Sequence, residues 1–158
     1  KLAVAMGASV TVISRSNNKE EEAQKIGATG ILVSTDADSM EKAWSSFDLI
    51  IDTVPVKHNV DIYAPLLDID GSLVIVGQVG SMDSFSSAGL IMGRRRVAGS
   101  LIGGIKETQE VLDFCAEHNI HPECKVIRAD EVNDAFAHLA KGDVAHRFVI
   151  DMSSLSVE

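Results

Sequence analysis

At 158 residues the chain has the length of one ordinary domain and is too short for two substantial ones. It is 46% hydrophobic and 23% charged, which is enough apolar surface for a core and argues against disorder, while no window approaches the roughly 18 apolar residues of a membrane span. Its 14 Lys plus Arg against 23 Asp plus Glu leave a formal charge of -9, which argues against a nucleic-acid binder.

Lys1 to Gly7 reads as the last turns of a helix stopped by Gly7 in the C′ position. No initiator Met, N-cap or signal peptide stands before it, so the chain is expected to be a piece of something longer. Val10–Ser14 is a short β-branched run, as in a buried parallel strand. Asn17–Ile26 is a polar-rich helix closed by Gly27, and Gly30–Ser34 is a second strand. Asp38 with Glu41 resembles a capping box that opens a helix to about Ser46. Phe47–Thr53 is a third strand, and a helix from His58 to Leu67 follows, interrupted by Pro65. Asp70-Gly71 then turns the chain into a fourth strand, Ser72–Gly77.

The stretch from Gln78 to Ala88 is rich in Ser and Gly and has the character of a loop beside a site. Arg96–Ile102 is a fifth strand and Lys106–Glu117 a helix, with Val111, Leu112 and Cys115 on one face. Asp130 can cap a last helix in which Val132, Ala135, Phe136 and Leu139 keep helical spacing. Arg147–Ile150 closes the chain as a strand. Strands alternating with helices of this length mean βαβ units, so the fold class is α/β: a Rossmann-type, doubly wound, mostly parallel sheet.

In such a sheet ligands sit beyond the carboxyl ends of the strands. The ends to inspect are Ser14-Arg15-Ser16, Thr53-Val54, Gly77-Gln78 and Ser100-Leu101-Ile102. NAD-binding sheets carry an acidic residue at the first of these, where it accepts the ribose 2′-hydroxyl. Here the sequence runs Ser14-Arg15-Ser16-Asn17-Asn18-Lys19, with no carboxylate before Glu20. Hydroxyls and amides beside Arg15 and Lys19 suit a 2′-phosphate. A solvated polar turn is the plainer alternative. The glycine fingerprint G-x-G-x-x-G is absent, and Gly103-Gly104 follows the wrong strand for it.

Other candidates are weaker. His58 follows Asp52-Thr-Val-Pro55 and reads first as a capping or lining residue. Arg147, beside His146, could reach a cofactor phosphate. Arg94-Arg95-Arg96 is expected to be solvated, and Cys115 to be core. Cys124, near a strand start, has no basic cluster to make it a thiolate. The cysteines and the scattered His58, His118, His121, His138 and His146 show neither a disulfide framework nor zinc spacing. No catalytic or metal-ligating set is assigned within the chain.

Several stretches resemble the C-terminal part of cinnamyl alcohol dehydrogenases, zinc-dependent members of the medium-chain dehydrogenase/reductase superfamily. They are Val10–Ser14, Asp52–Pro55, Gly93-Arg94-Arg95, Ala98–Gly103, Glu107–Glu117 and Gly142–Asp151. The resemblance implies an enzyme interconverting aldehydes and primary alcohols with NADP(H) and a catalytic zinc. It puts the 2′-phosphate segment on Ser14 to Lys19 and the nicotinamide-side contacts on Thr53, Gly77 and Ser100-Leu101-Ile102. Part of the substrate wall falls on Ile91, Met92, Leu101 and Ile102.

Arg15 stands where plant members usually carry a serine, and Gln78 where they carry an aliphatic residue, which bears on the preference for a cinnamyl ring. Zinc ligands, glycine fingerprint and the central first strand are expected upstream of Lys1, leaving a gap between Val10–Ser14 and Phe47–Thr53. The resemblance also implies a homodimer through the edge strand near 96–102, with Leu90 near the axis. A cytoplasmic protein is expected. A zinc-free NADPH reductase of the same superfamily and a non-catalytic nucleotide-sensing module are the alternative readings.

Overall fold

The computed structural model describes residues 1–77, 80–141 and 147–155. The chain divides into two compact units, Lys1–Glu110 and Val111–Glu158. In the first, α1 (Leu2–Ala5) ends at Gly7, whose φ of 87° is the left-handed conformation that a side chain would resist. Next come β1 (Thr11–Ser14), a 3-10 turn at Asn17–Lys19 and α2 (Glu20–Lys25). These lead to β2 (Gly30–Val33), α3 (Ala37–Lys42) and β3 (Phe47–Asp52). β4 (Leu67–Ile75), α4 (Ser87–Gly93) and β5 (Arg96–Gly99) complete its strands, and α5 (Ile105–Glu117) follows.

Every strand pairing in this unit is parallel: β1 with β2, β3 with β4, and β4 with β5. The α/β class with parallel pairing is therefore as the sequence predicts. Among the described residues β1–β2 and β3–β4–β5 are separate sheets, and the expected gap between β1 and β3 is present.

The core lies where β2, β3 and β4 bring their β-branched and leucine side chains together. Leu32, Ile50, Val60, Leu66, Leu67 and Leu73 are buried, with Ile13, Phe47, Tyr63, Ile75 and Phe85 packed on them. Leu66, Leu67 and Leu73 are completely enclosed. Truncating any of them to alanine should cost about 2–5 kcal/mol.

Several local expectations are corrected. The α3 cap is Asp36, not Asp38: its Oδ1 accepts the amides of Asp38 and Ser39 at 3.1 and 3.4 Å. An Asx acceptor at the N-cap, immediately before the helix, outcompetes the capping-box pairing. The segment after β3 is no helix from His58; only Asp61–Leu66 coils, as a 3-10 turn, because Pro65 supplies no amide for an α-helical ladder. Asp70-Gly71 does not end a turn but lies inside β4, where the register against β3 jumps from Phe47↔Leu67 to Leu49↔Ser72. Asp70 holds the extra length as a bulge, with φ at 63°. β5 stops at Gly99, three residues short of the expected Ile102.

In the second unit β6 (Cys124–Arg128) pairs in parallel with β7 (Arg147–Asp151), and α6 (Val132–Lys141) connects them. Asp130 does not cap α6. A 3-10 turn at Ala129–Glu131 precedes it, where Glu131 accepts the Arg128 amide at 2.7 Å and Asp130 pairs with the Arg128 guanidinium at 3.0 Å. Ala135 is buried while Phe136 and Leu139 stay largely exposed. Cys115 is half-buried rather than core, and Cys124 is exposed.

Candidate cofactor site

Among the described residues β1 and β3 each pair on one side only, and the gap between them forms a cleft of about 250 Å³. Thr11, Val12 and Ile13 line one wall, Leu49 to Val54 the other, and Tyr63 reaches in from the 3-10 turn. Thr53 and Val54 therefore stand at the carboxyl end of β3, where a ligand belongs in a parallel sheet.

The residue organising that end is Asp52, which sequence reasoning left out of the site although it opens the Asp52–Pro55 stretch. It is 6% exposed and the one buried charged residue among those described. Its Oδ1 accepts the Val54 amide at 3.0 Å, and its carbonyl accepts the Val76 and Gly77 amides at 2.9 and 3.1 Å. Its Oδ2 lies 3.0 Å from His58 Nε2. Burial pushes the Tyr63 phenol up, the Asp52 charge adds to this, and a hydrogen bond with Ser34 opposes it. The signal available in the sequence was an acidic residue ending an otherwise apolar strand.

Gly77 locks β4 onto the same turn. A Cβ there would stand 2.3 Å from the Thr53 carbonyl carbon and 2.8 Å from the Val54 nitrogen. Only glycine lets the two backbones approach so closely.

Ser14, Arg15, Ser16 and Lys19 lie together on the turn at the carboxyl end of β1, with Arg15, Ser16 and Lys19 exposed. The Thr35 hydroxyl donates to the Arg15 carbonyl at 3.1 Å and ties this turn to the one after β2. No acidic residue intervenes before Glu20. Hydroxyl donors and two cations are thus presented to solvent without a competing carboxylate.

Ser100 donates its amide to the Ile75 carbonyl at 3.1 Å, which carries the chain past the end of β5. Ser100 and Leu101 line a second groove with Ile75, Val76, Met82 and Val97. Leu101 and Ile102 are 84% and 89% exposed. Met92 lines a different groove, with Trp44, Ser45, Pro65 and Arg95, residues that precede β3, β4 and β5. Ile91 is exposed on α4.

The three arginines are not simply solvated. Arg94 and Arg96 converge on Asp70, and Arg95 donates to the Gly89 carbonyl and the Ser45 hydroxyl, both at 3.2 Å. Gln78 and His146 lie outside the described residues. Arg147 opens β7 in the second unit, where its amide donates to the Glu123 carbonyl at 3.2 Å. Among the described residues no three His, Cys, Asp or Glu side chains are grouped as a metal ion would need.

The family model of zinc-binding dehydrogenases matches residues 1–117. The chain is 50% identical over 155 residues to a probable formaldehyde dehydrogenase of Bacillus subtilis, covering 98% of this chain and 44% of that protein. It superposes on a cinnamyl alcohol dehydrogenase of Sorghum bicolor with a TM-score of 0.88 at 39% identity, covering 99% of this chain and 44% of that one. It superposes on a cinnamyl alcohol dehydrogenase of Helicobacter pylori, complexed with NADP(H), with a TM-score of 0.78 at 36% identity, covering 98% and 44%. The chain thus spans a little under half the length of these relatives.

Proposed function

Because the chain belongs to the zinc-binding dehydrogenase family, we propose that it is the cofactor-binding part of an NADP-dependent, zinc-dependent alcohol dehydrogenase, a cinnamyl-alcohol-dehydrogenase-like aldehyde reductase. The observation that carries the cofactor choice is the turn after β1, where Ser14, Arg15, Ser16 and Lys19 offer donors and positive charge with no carboxylate among them. A 2′-phosphate needs such a setting, whereas a free ribose 2′-hydroxyl is usually held by an acid.

NADP(H) fits the residues present. The β1 turn takes the phosphate end, and Thr53, Val54 and Gly77 form a second backbone surface for the nicotinamide end. Gln78, Ser100, Leu101 and Ile102 are further contacts in this reading. When bound, the cofactor would supply hydride chemistry, delivery to the carbonyl carbon of a small aldehyde or removal from the carbinol carbon of a primary alcohol. What this chain does is hold that ring: the Asp52 bonds to Val54, Val76 and Gly77 fix the strand ends against which it rests. Ile91, Met92, Leu101 and Ile102 offer exposed apolar surface for the substrate side.

Zinc does not fit the described residues, and no step is assigned to it here. Its ligands belong, in this reading, to the part of the relatives that this chain does not span. The outer edge of β5, unpaired among the described residues, and the exposed Leu101, Ile102 and Ile105 support a homodimer through this segment. No helix among the described residues is long and apolar enough to cross a membrane.

The test is cofactor selectivity in the full-length enzyme. Its kcat/KM should be about ten- to a hundredfold higher with NADPH than with NADH, the worth of charge-assisted bonds to the phosphate. Ser16→Asp should reverse much of that preference. Equal kcat/KM for the two cofactors in the wild type would sink the reading.

A further inference from the structure

The segment 53–59 joins β3 to the 3-10 turn without any regular structure. Among the described residues no backbone-to-backbone hydrogen bond holds it. Side chains hold it instead, and two of the contacts belong to one residue. His58 Nδ1 lies 2.9 Å from the Val56 carbonyl, inside the segment. His58 Nε2 lies 3.0 Å from Asp52 Oδ2, at the end of β3. The ring is mostly buried, with Tyr63 tilted against it at 6.2 Å between centroids.

Both atoms are buried and, among the described residues, neither makes a well-aligned hydrogen bond; the 3.0 Å ion-pair contact between them is what each has. Two buried polar atoms left to one another at 3.0 Å depend on that contact, since losing either strands the other without water. The contact closes a loop of covalent chain from Asp52 to His58. Thr53 and Val54 lie inside that loop, pinned from the other side by the Asp52–Val54 bond and by Gly77 packed against their peptide. Lys57, also inside it, is tied outward to Asp83 at 2.5 Å. The segment is therefore clamped at its beginning, middle and end, with the buried clamp supplied by His58.

The geometry points to His58 as a positioning residue: through Asp52 and the Val56 carbonyl it holds the Thr53–Val54 backbone in place for the nicotinamide half of the cofactor. This rests on the cofactor reading above. It assigns His58 no contact with substrate or cofactor and no part in proton transfer. It distinguishes His58 from a residue that merely lines the cleft, because the effect of its loss should fall on one half of the ligand. The phosphate-binding turn after β1 is made by other residues and shares no hydrogen bond with the clamp among those described.

The experiment uses the full-length enzyme and two probes, NADPH and 2′,5′-ADP, titrated calorimetrically. The second carries the 2′-phosphate and adenosine but no nicotinamide. His58→Leu should weaken NADPH about tenfold, the worth of one buried polar contact to a charged group, and leave 2′,5′-ADP unchanged. In turnover it should raise KM for NADPH by a similar factor and move kcat much less. His58→Gln, whose amide reaches as far as Nε2, should recover most of the loss, and the shorter His58→Asn should not.

Equal weakening of both probes would show a general structural defect and overturn the proposal. So would unchanged NADPH affinity, or a fall in kcat without a change in affinity. If His58→Leu fails to fold, the comparison of His58→Gln with His58→Asn makes the same distinction. A wild-type enzyme that binds neither probe would instead refute the cofactor reading, an outcome separate from all of these.

Discussion

Gly77 is the residue at which close approach is least negotiable. The atoms a Cβ would strike are backbone, the Thr53 carbonyl and the Val54 nitrogen, so no rotamer change relieves them. Gly77→Ala should destabilise the protein by about 1–3 kcal/mol, as overpacking does, and should also displace the Thr53–Val54 peptide. Gly99→Ala is the control: its nearest foreign atom is the Ile75 carbonyl oxygen at 3.9 Å, an ordinary contact. Thermal unfolding of the two variants, read with NADPH affinity, should separate them. Comparable loss in both would show that strand-end glycines matter here only for their flexibility.

At the scale of the element, β5 is the exposed margin of its sheet. Its inner side is paired with β4 from Ser72↔Arg96 to Ile75↔Gly99, and among the described residues its outer side pairs with nothing. Natural edges are usually protected by charge or proline. Arg96 supplies charge at the start, but the following residues through Ile102 supply none. Leu90 is half-buried on α4, so it can contribute only part of its surface to an interface. If two copies meet here about a two-fold axis, Leu101→Lys places like charges near one another and should weaken association by at least about tenfold. Sedimentation across a concentration series measures this, and a wild type that is monomeric at micromolar concentration would contradict the dimer.

For the molecule as a whole, acid response follows from carboxylates that the fold holds charged. The Ser39 hydroxyl and amide keep Asp36 below its ordinary 3.8, Arg94 does so for Asp70, and Ser153 for Asp151. Each folded carboxyl thus binds protons less readily than in the unfolded chain. The stability it adds is complete above the unfolded value of 3.8 and drains away as pH falls below it. Denaturant midpoints should therefore hold between about pH 7 and about pH 5 and decline below about pH 4. Asp70→Asn should show a shallower decline, since it removes one of these groups while Arg94 keeps a neutral acceptor. An identical slope in that variant would mean Asp70 contributes nothing to acid sensitivity.

The α/β class, the positions of β1, β2, β3 and β7 and the donor-rich turn after β1 were determined locally, and so were legible in the residues alone. A β-branched run makes a strand wherever it lies, and the absence of a carboxylate from Ser14 to Lys19 is a fact of composition. What tertiary structure decided was each case where two distant segments compete for one group. Asp70-Gly71 reads as a turn, yet pairing of β4 with β3 makes it a bulge inside a nine-residue strand. Arg94, Arg95 and Arg96 read as a solvated run, yet Asp70, Gly89 and Ser45 claim all three. Asp52 and His58 sit only six positions apart, but nothing in that spacing says that the ring turns back. Burial of the β3 end is what leaves Asp52 Oδ2 and His58 Nε2 facing only one another among the described residues, and burial is a property of the assembled sheet rather than of the residues that compose it.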